Sequence, residues 1–466
     1  MEDPFAPFER KMRAAGLPAL AIDTFRHYYA QLRAGETGTL SRREIGPVDD
    51  VPQAADLEAH RRAGIAALDR TVVLKLNGGL GTSMGMTRAK SLLPVKQGLT
   101  FLDLIALQVL HLRRAHGCRL PLILMNSFRT RADALARLGA HPELAADIPA
   151  DFLQHKVPKV RADDLAPAVW PADPEQEWCP PGHGDIYAAL VTSGMLAALL
   201  EADYRYAFVS NSDNLGAVPK PGILGWLEVE EIPFLMEVCE RTEAHRKGGH
   251  LARRRRGGLA LRELAQCPAD ELDEFQDVAL YRFFNTNNLW LDLRALDAAL
   301  KERRGVLGLP MIRNEKTLDP TDASSPRVFQ LETAMGAAIE VFDGARAVCV
   351  PGERFAPVKT TSDLLALWSD AYVLAEDFRV VSARDPGLGP LLVDLDTAFY
   401  KRIDQLEERF AHGAPSLVRC RRFAVRGDVR FGRGVVAEGD VEVRNPGPGP
   451  LMIADGRILR GAQGGS

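Results

Sequence analysis

The stretch LKLNGGLGTSMG, Leu74 to Gly85, constrains this chain more than any other. A short apolar run, Val72-Val73-Leu74-Lys75-Leu76, leads straight into Gly78, Gly79, Gly81 and Gly85, and Ala89-Lys90-Ser91 comes next. An apolar run of that length closed by glycines reads as a buried strand entering a loop. Glycines there let the backbone approach an anion closely and aim N–H groups at it, while Lys90 can neutralise phosphate charge. The pattern predicts a nucleoside triphosphate held at the end of a strand. The spacing is neither the G-x-x-x-x-G-K-[ST] of P-loops nor the G-x-G-x-x-G of dinucleotide folds.

The segments after the loop set the fold class. Thr100 and Asp103 form a capping box ahead of Leu104 to Leu112, a helix ending near Gly117, and Leu120 to Met125 is the next strand. Ile186 to Ala202 reads as a further helix and Ala207 to Ser210 as a further strand. Alternation of this kind predicts an α/β fold with a mostly parallel sheet and right-handed crossovers. Before it, residues 1–65 carry Phe5, Phe8, Met12, Phe25, Tyr28 and Leu32 at helical spacing, which predicts a helical N-terminal appendage and a linker. Beyond it, helices are expected over 361–376 and 397–410. Residues 418–460 then break into short alternating pieces cut by glycine, which predicts a small β-helix-like coil that serves packing or assembly. The expected domains are 1–65, a catalytic unit 66–375, and a C-terminal unit 376–466.

Composition narrows the class of function. With 466 residues and a formal net charge of −4, the chain has ample core and no general attraction to nucleic acid or acidic membranes. An anionic substrate therefore needs a local site. The six cysteines form no C-x-x-C pair and no zinc spacing, so reduced thiols are expected. No apolar stretch reaches the ~20 residues of a membrane span, and Met1 to Arg13 lack a signal-peptide core, so a cytoplasmic location is expected. Arg253 to Arg256, flanked by Gly257-Gly258, read as a solvated hairpin tip rather than a nucleic-acid patch.

Three further segments can carry chemistry. In Phe208-Val209-Ser210-Asn211-Ser212-Asp213-Asn214 a carboxylate stands just past a parallel strand, where α/β sheets bind ligands, and Asp213 can hold Mg²⁺ that phosphate oxygens and water complete. Pro180-Pro181-Gly182-His183-Gly184-Asp185 is either a rigid turn or the lining of a sugar or nucleotide pocket. Lys359, in Pro357-Val358-Lys359-Thr360-Thr361, precedes a helix start and is either a surface charge or a partner for phosphate.

Read in order, LKLNGGLGTSMG, PPGHGDIY, SNSDNLGA, FNTNNLW, QLETAMGAAI and RFAPVKTTSDLL resemble the UTP–glucose-1-phosphate uridylyltransferases of the eukaryotic type, from about residue 20 to about 375. The resemblance implies a Rossmann-like nucleotidyltransferase domain and the Mg²⁺-dependent, reversible conversion of UTP and glucose 1-phosphate into UDP-glucose and pyrophosphate. It places Leu76, Asn77, Gly78, Gly79, Lys90, Gln154 and Gly182 on the nucleotide. It puts His183, Asn211, Ser212, Asp213, Asn287 and Lys359 on the sugar phosphate, with Asp213 also on the metal and Lys90 and Lys359 as the catalytic cations. A homo-oligomer built through the C-terminal strands is compatible with the family. Animal members carry a Gly-Pro step where this chain has Met86-Thr87-Arg88-Ala89, and N-acetylglucosamine-specific relatives have Arg where Ser83 stands, which favours glucose. The competing readings are a uridylyltransferase of broader sugar range and a catalytically silent nucleotide-binding or assembly module.

Overall fold

The chain is described here by a computed structural model covering residues 3–464. Its centre is a twisted sheet of β1 (Thr71–Asn77), β2 (Leu122–Asn126), β3 (Asp151–Leu153), β4 (Tyr206–Asn211), β5 (Phe234–Glu240), β6 (Phe283–Asp292) and β7 (Arg346–Cys349). The spatial order is β3-β2-β1-β4-β6-β5-β7, and every strand runs parallel except β6. Alternation along the strands supplies two cores. Val73, Leu122, Leu124, Phe208 and Trp290 face one side of the sheet, and Val72, Leu74, Ile123, Val209 and Leu291 face the other.

The connections determine where a ligand can sit. From β1 the chain passes through the helix Phe101–His116 to β2, and the expected Thr100/Asp103 capping box and Gly117 stop (φ 62°) are both present. From β3 it crosses back to β4 on the far side of β1. The strand order therefore reverses between β1 and β4, which leaves a crevice outside their carboxyl ends.

The N-terminal helices Ala6–Ala14 and Ala19–Arg33 bury Phe8, Phe25 and Tyr29 against Val157, Cys179, Met311 and Leu331. Ile45–Gly46 pair with Arg253–Arg254 of a hairpin whose strands are His250–Arg254 and Leu259–Arg262, so the arginine run does sit at a hairpin end. Near the C-terminus, Leu392–Leu395, Cys420–Arg426, Val436–Arg444 and Ile458–Gly464 stack in parallel, with Val429–Phe431 on Leu451–Ile453 as a second face, which makes a short β-helical coil.

Three helices depart from expectation. The segment 186–202 splits into Ile186–Thr192 and Met195–Glu201, because Gly194 adopts φ 76° and starts a new helix at a 66° bend. The helix from Thr361 stops at Trp368, where Asp370 turns away to accept hydrogen bonds from Ser416 Oγ, Leu417 N and Val418 N. The segment 397–410 breaks at Lys401, and Arg402 caps the second half, Ile403–Arg409. All six cysteines are free thiols and four are buried. No single helix among the described residues is long and apolar enough to cross a membrane.

Candidate active site

The crevice between β1 and β4 is built from backbone first. Ser212 N donates to Leu76 O (3.1 Å), which joins the ends of the two strands. The glycine loop leaves β1 and turns at Gly81 (φ 64°) and Gly85 (φ 77°), conformations that L side chains rarely adopt. It returns so that Lys90 N donates to Gly79 O (3.0 Å). That closure carries the Lys90 side chain across the crevice, where Nζ meets Asp213 Oδ2 at 2.7 Å, both side chains being less than one-fifth exposed. Arg402 of the C-terminal segment lies against Gly85, since a Cβ there would stand 3.3 Å from its guanidinium.

A second wall extends from β3. Gln154 N donates to Asn126 O, and the side-chain amide of Gln154 then donates to Gly182 O (3.2 Å). Its Oε1 occupies the space that a Cβ on Gly78 would need, at 2.7 Å. Gly78, Gln154 and Gly182 thus form one continuous patch. Gly182 has φ 80°, and a Cβ on it would lie 2.4 Å from Thr333 O, so only glycine fits the turn. His183 Nδ1 accepts from Met335 N (2.9 Å), which leaves Nε2 as the protonated nitrogen. Burial pulls its imidazolium form down to about 4, so the ring stays neutral near pH 7. Asn287 sits at a bulge of β6 with φ 57°, and its side-chain Oδ1 accepts from Asn285 Nδ2 (3.0 Å). Met335, whose N–H is accepted by His183, precedes Gly336, and a Cβ on Gly336 would lie 3.2 Å from Asn285 Nδ2.

Two predicted residues stand apart. Asn77 is buried, with its amide committed to Asn126 Oδ1 (2.7 Å). Lys359 is exposed, with Nζ over the Phe355 ring at 5.6 Å. It lies near His245 and Glu263; burial lifts the Glu263 carboxyl to about 7, with the Lys359 ammonium opposing that rise. Its backbone N is held by Asp363 Oδ2 (2.9 Å) in the Thr360 helix cap. The segment ahead of it bridges to the site, because Asn214 pairs with Pro357.

A family profile described as UTP–glucose-1-phosphate uridylyltransferase matches residues 22–438. The chain belongs to the UTP–glucose-1-phosphate uridylyltransferase family. Members from Musa acuminata and Solanum tuberosum are 38% and 41% identical to it, covering 92% and 84% of this chain and 89% and 80% of theirs. Solved structures agree. The UDP-glucose pyrophosphorylase of Leishmania major, described in open and closed structures, superposes with a TM-score of 0.92 at 46% identity over 99% of both chains. The enzyme from Trypanosoma brucei gives 0.88 at 45% identity over 98% of both. A Leishmania major variant in complex with UDP-glucose matches over the full length of both chains at 0.92 and 46%.

Sequence reasoning missed the buried polar layer on which this family member's site rests. Glu237 and Arg354, 0% and 3% exposed, pair through two hydrogen bonds of 2.6 and 2.8 Å. Trp290 Nε1 and Asn288 Nδ2 complete the carboxylate, while Asn214 Nδ2 donates to Arg354 O (2.9 Å). Glu237, set between apolar residues in the strand Phe234–Glu240, was the available signal. His155 and Asp185, joined at 2.8 Å, likewise clamp the Gln154 loop to the Gly182 turn.

Proposed function

We propose that this chain transfers the uridylyl group of UTP to glucose 1-phosphate, releasing pyrophosphate, and also runs the reverse reaction. The observation that carries the reading is the Lys90–Asp213 pair at the topological switch point, facing the glycine loop. The Gly78–Gln154–Gly182 patch would receive the flat edge of the base, which an amide side chain can read by hydrogen bonds. The backbone of Leu76, Asn77 and Gly79 would line the ribose and α-phosphate. His183, Asn211, Ser212 and Asn287 border the side where the sugar phosphate would enter.

The incoming phosphate is already an oxyanion, so no protein nucleophile or base is required. The protein's task is to align it with the α-phosphorus and stabilise charge on the departing pyrophosphate. Lys90 would supply that charge when its ammonium turns from Asp213 to phosphate. Lys359 supplies a second cation once its side chain leaves the Phe355 ring for the crevice, a swing its exposure permits.

Among the described residues, no three His, Cys, Asp or Glu side chains gather to hold a metal ion by themselves. A single crevice carboxylate, Asp213, fits Mg²⁺ delivered with the nucleotide, since this ion keeps waters and binds through one or two carboxylates plus phosphates. Bound there, Mg²⁺ would neutralise phosphate charge. The free thiols suit a reducing cytoplasm, and the edge strand Ile458–Gly464, paired on one side, offers a route to homo-oligomers.

Pyrophosphate release from UTP and glucose 1-phosphate, with and without Mg²⁺, tests the assignment. Turnover that needs Mg²⁺, prefers UTP over ATP, CTP and dTTP, and prefers glucose 1-phosphate over the galactose and N-acetylglucosamine analogues is expected. Absence of uridylyl transfer under all these conditions refutes it.

A further inference from the structure

Lys75 occupies a position where a parallel strand buried on both faces ordinarily carries valine, isoleucine or leucine. It is 1% exposed, and its neighbours on β1, Val73 and Leu74, belong to the two cores. Burying an amine in such a place costs far more than an aliphatic side chain unless its N–H groups find acceptors. Two acceptors are present. Nζ donates to Ser210 Oγ at 2.7 Å and to Ala217 O at 2.9 Å, and faces the Phe208 ring at 5.9 Å.

The two acceptors bracket one loop. Ser210 is near the carboxyl end of β4, and Ala217 lies past the tight turn in which Asn214 N donates to Asn211 O and Ala217 N to Asn214 O. Asp213 is within that bracket. The charged groups sensed by Lys75 are Arg354, which opposes its charge, and Asp213 and Glu237, which favour it. Its Nζ is thus a tie between the strand that launches the glycine loop and both ends of the loop that presents the carboxylate.

We propose that Lys75 is a positioning residue for uridylyl transfer, holding the Asp213 loop at the distance from the glycine loop that the reaction requires. The inference rests on the function proposed above. Lys75 touches no substrate in this arrangement; it acts through Ser210 and Ala217. A loop displaced by about 1 Å is enough to lower turnover on the order of 100-fold.

The test uses the full-length protein, with Lys75→Met and Ser210→Ala measured alone and together. Lys75→Met is expected to lower kcat about 100-fold, to leave the KM for UTP little changed, and to raise the Mg²⁺ concentration that gives half-maximal rate. A merely structural lysine would not move that last quantity. Ser210→Ala removes one of the two ties and should shift kcat and the Mg²⁺ requirement the same way by less, with no added loss in the double variant. Folded Lys75→Met with wild-type kcat and Mg²⁺ requirement overturns the proposal. Should Lys75→Met fail to fold, Ser210→Ala decides alone, and unchanged values in it overturn the proposal. An inactive wild-type protein would instead overturn the proposed function itself, so the two failures are distinguishable.

Discussion

Asp213→Ala separates what the Lys90–Asp213 pair does for chemistry from what it does for folding. The pair is short, 2.7 Å, and its side chains are 16% and 19% exposed, so water still reaches both. An ion pair of that partial burial, still reached by water, contributes on the order of 1 kcal/mol to stability, more than a fully exposed pair and less than a fully buried one. For a chain of this size, 1 kcal/mol corresponds to a melting shift of no more than about 3 °C. Catalysis should respond very differently. Asp213 is the carboxylate that would hold Mg²⁺ against the phosphates, and loss of one such stabiliser of transition-state charge raises the barrier by about 3–4 kcal/mol. At about 1.36 kcal/mol per tenfold, that is a factor of about 10²–10³ in turnover. The assay is the initial rate of pyrophosphate release at saturating UTP, glucose 1-phosphate and Mg²⁺, with a thermal melt of the same preparation. A variant within threefold of wild type would refute the role given to Asp213, and so would a loss of rate matched by collapse of the melting temperature.

The same geometry implies three more outcomes. Lys359→Ala should melt like wild type, because the side chain is exposed and lies over the Phe355 face, yet lose most turnover; near wild-type rates in kinetic assays would remove Lys359 from the site. Arg354→Met leaves the Glu237 carboxylate buried without its partner and should cost about 3–5 kcal/mol by denaturant unfolding, whereas a change under about 1 kcal/mol would show that the layer beneath Asn214 is not held by this pair. Burial, with Arg354 adding, lowers the Lys75 pKa from its ordinary 10.5 to about 7. Between those values the unfolded chain binds the proton and the folded chain does not, so stability rises with pH across that window, and below pH 7 the full cost of the buried charge is present. The stability of wild type relative to Lys75→Met should therefore increase from pH 7 to 10.5, and parallel pH profiles would show that Lys75 remains charged.

The local features of the site were legible where one segment carries the whole signal. β1 running into glycines, the Thr100/Asp103 cap and the acid after β4 each depend on residues adjacent in sequence, and each was found where expected. The features that stayed hidden depend on partners far apart along the chain. Glu237 and Arg354 become a pair only once β5 and the segment after β7 meet beneath the crevice. Lys75 read as one polar residue in an apolar run, because its acceptors Ser210 and Ala217 arrive from another strand. The length of the helix from Thr361 failed for the same reason. Periodicity continues past Trp368, but Asp370 is captured by Ser416 to Val418, and no pattern within 361–376 could announce that. The rung Ile458–Gly464 escaped notice because glycine and polar residues there dilute the alternation that marks a strand.

The most direct test of a shared crevice between β1 and β4 is a crystal structure of this protein soaked with UDP-glucose. The expected density places uracil against Gly78, Gln154 and Gly182, the diphosphate beside Lys90 and Asp213, and the hexose between His183 and Asn287. UDP-glucose bound elsewhere, with Lys90 and Asp213 still paired and untouched by phosphate, would contradict it.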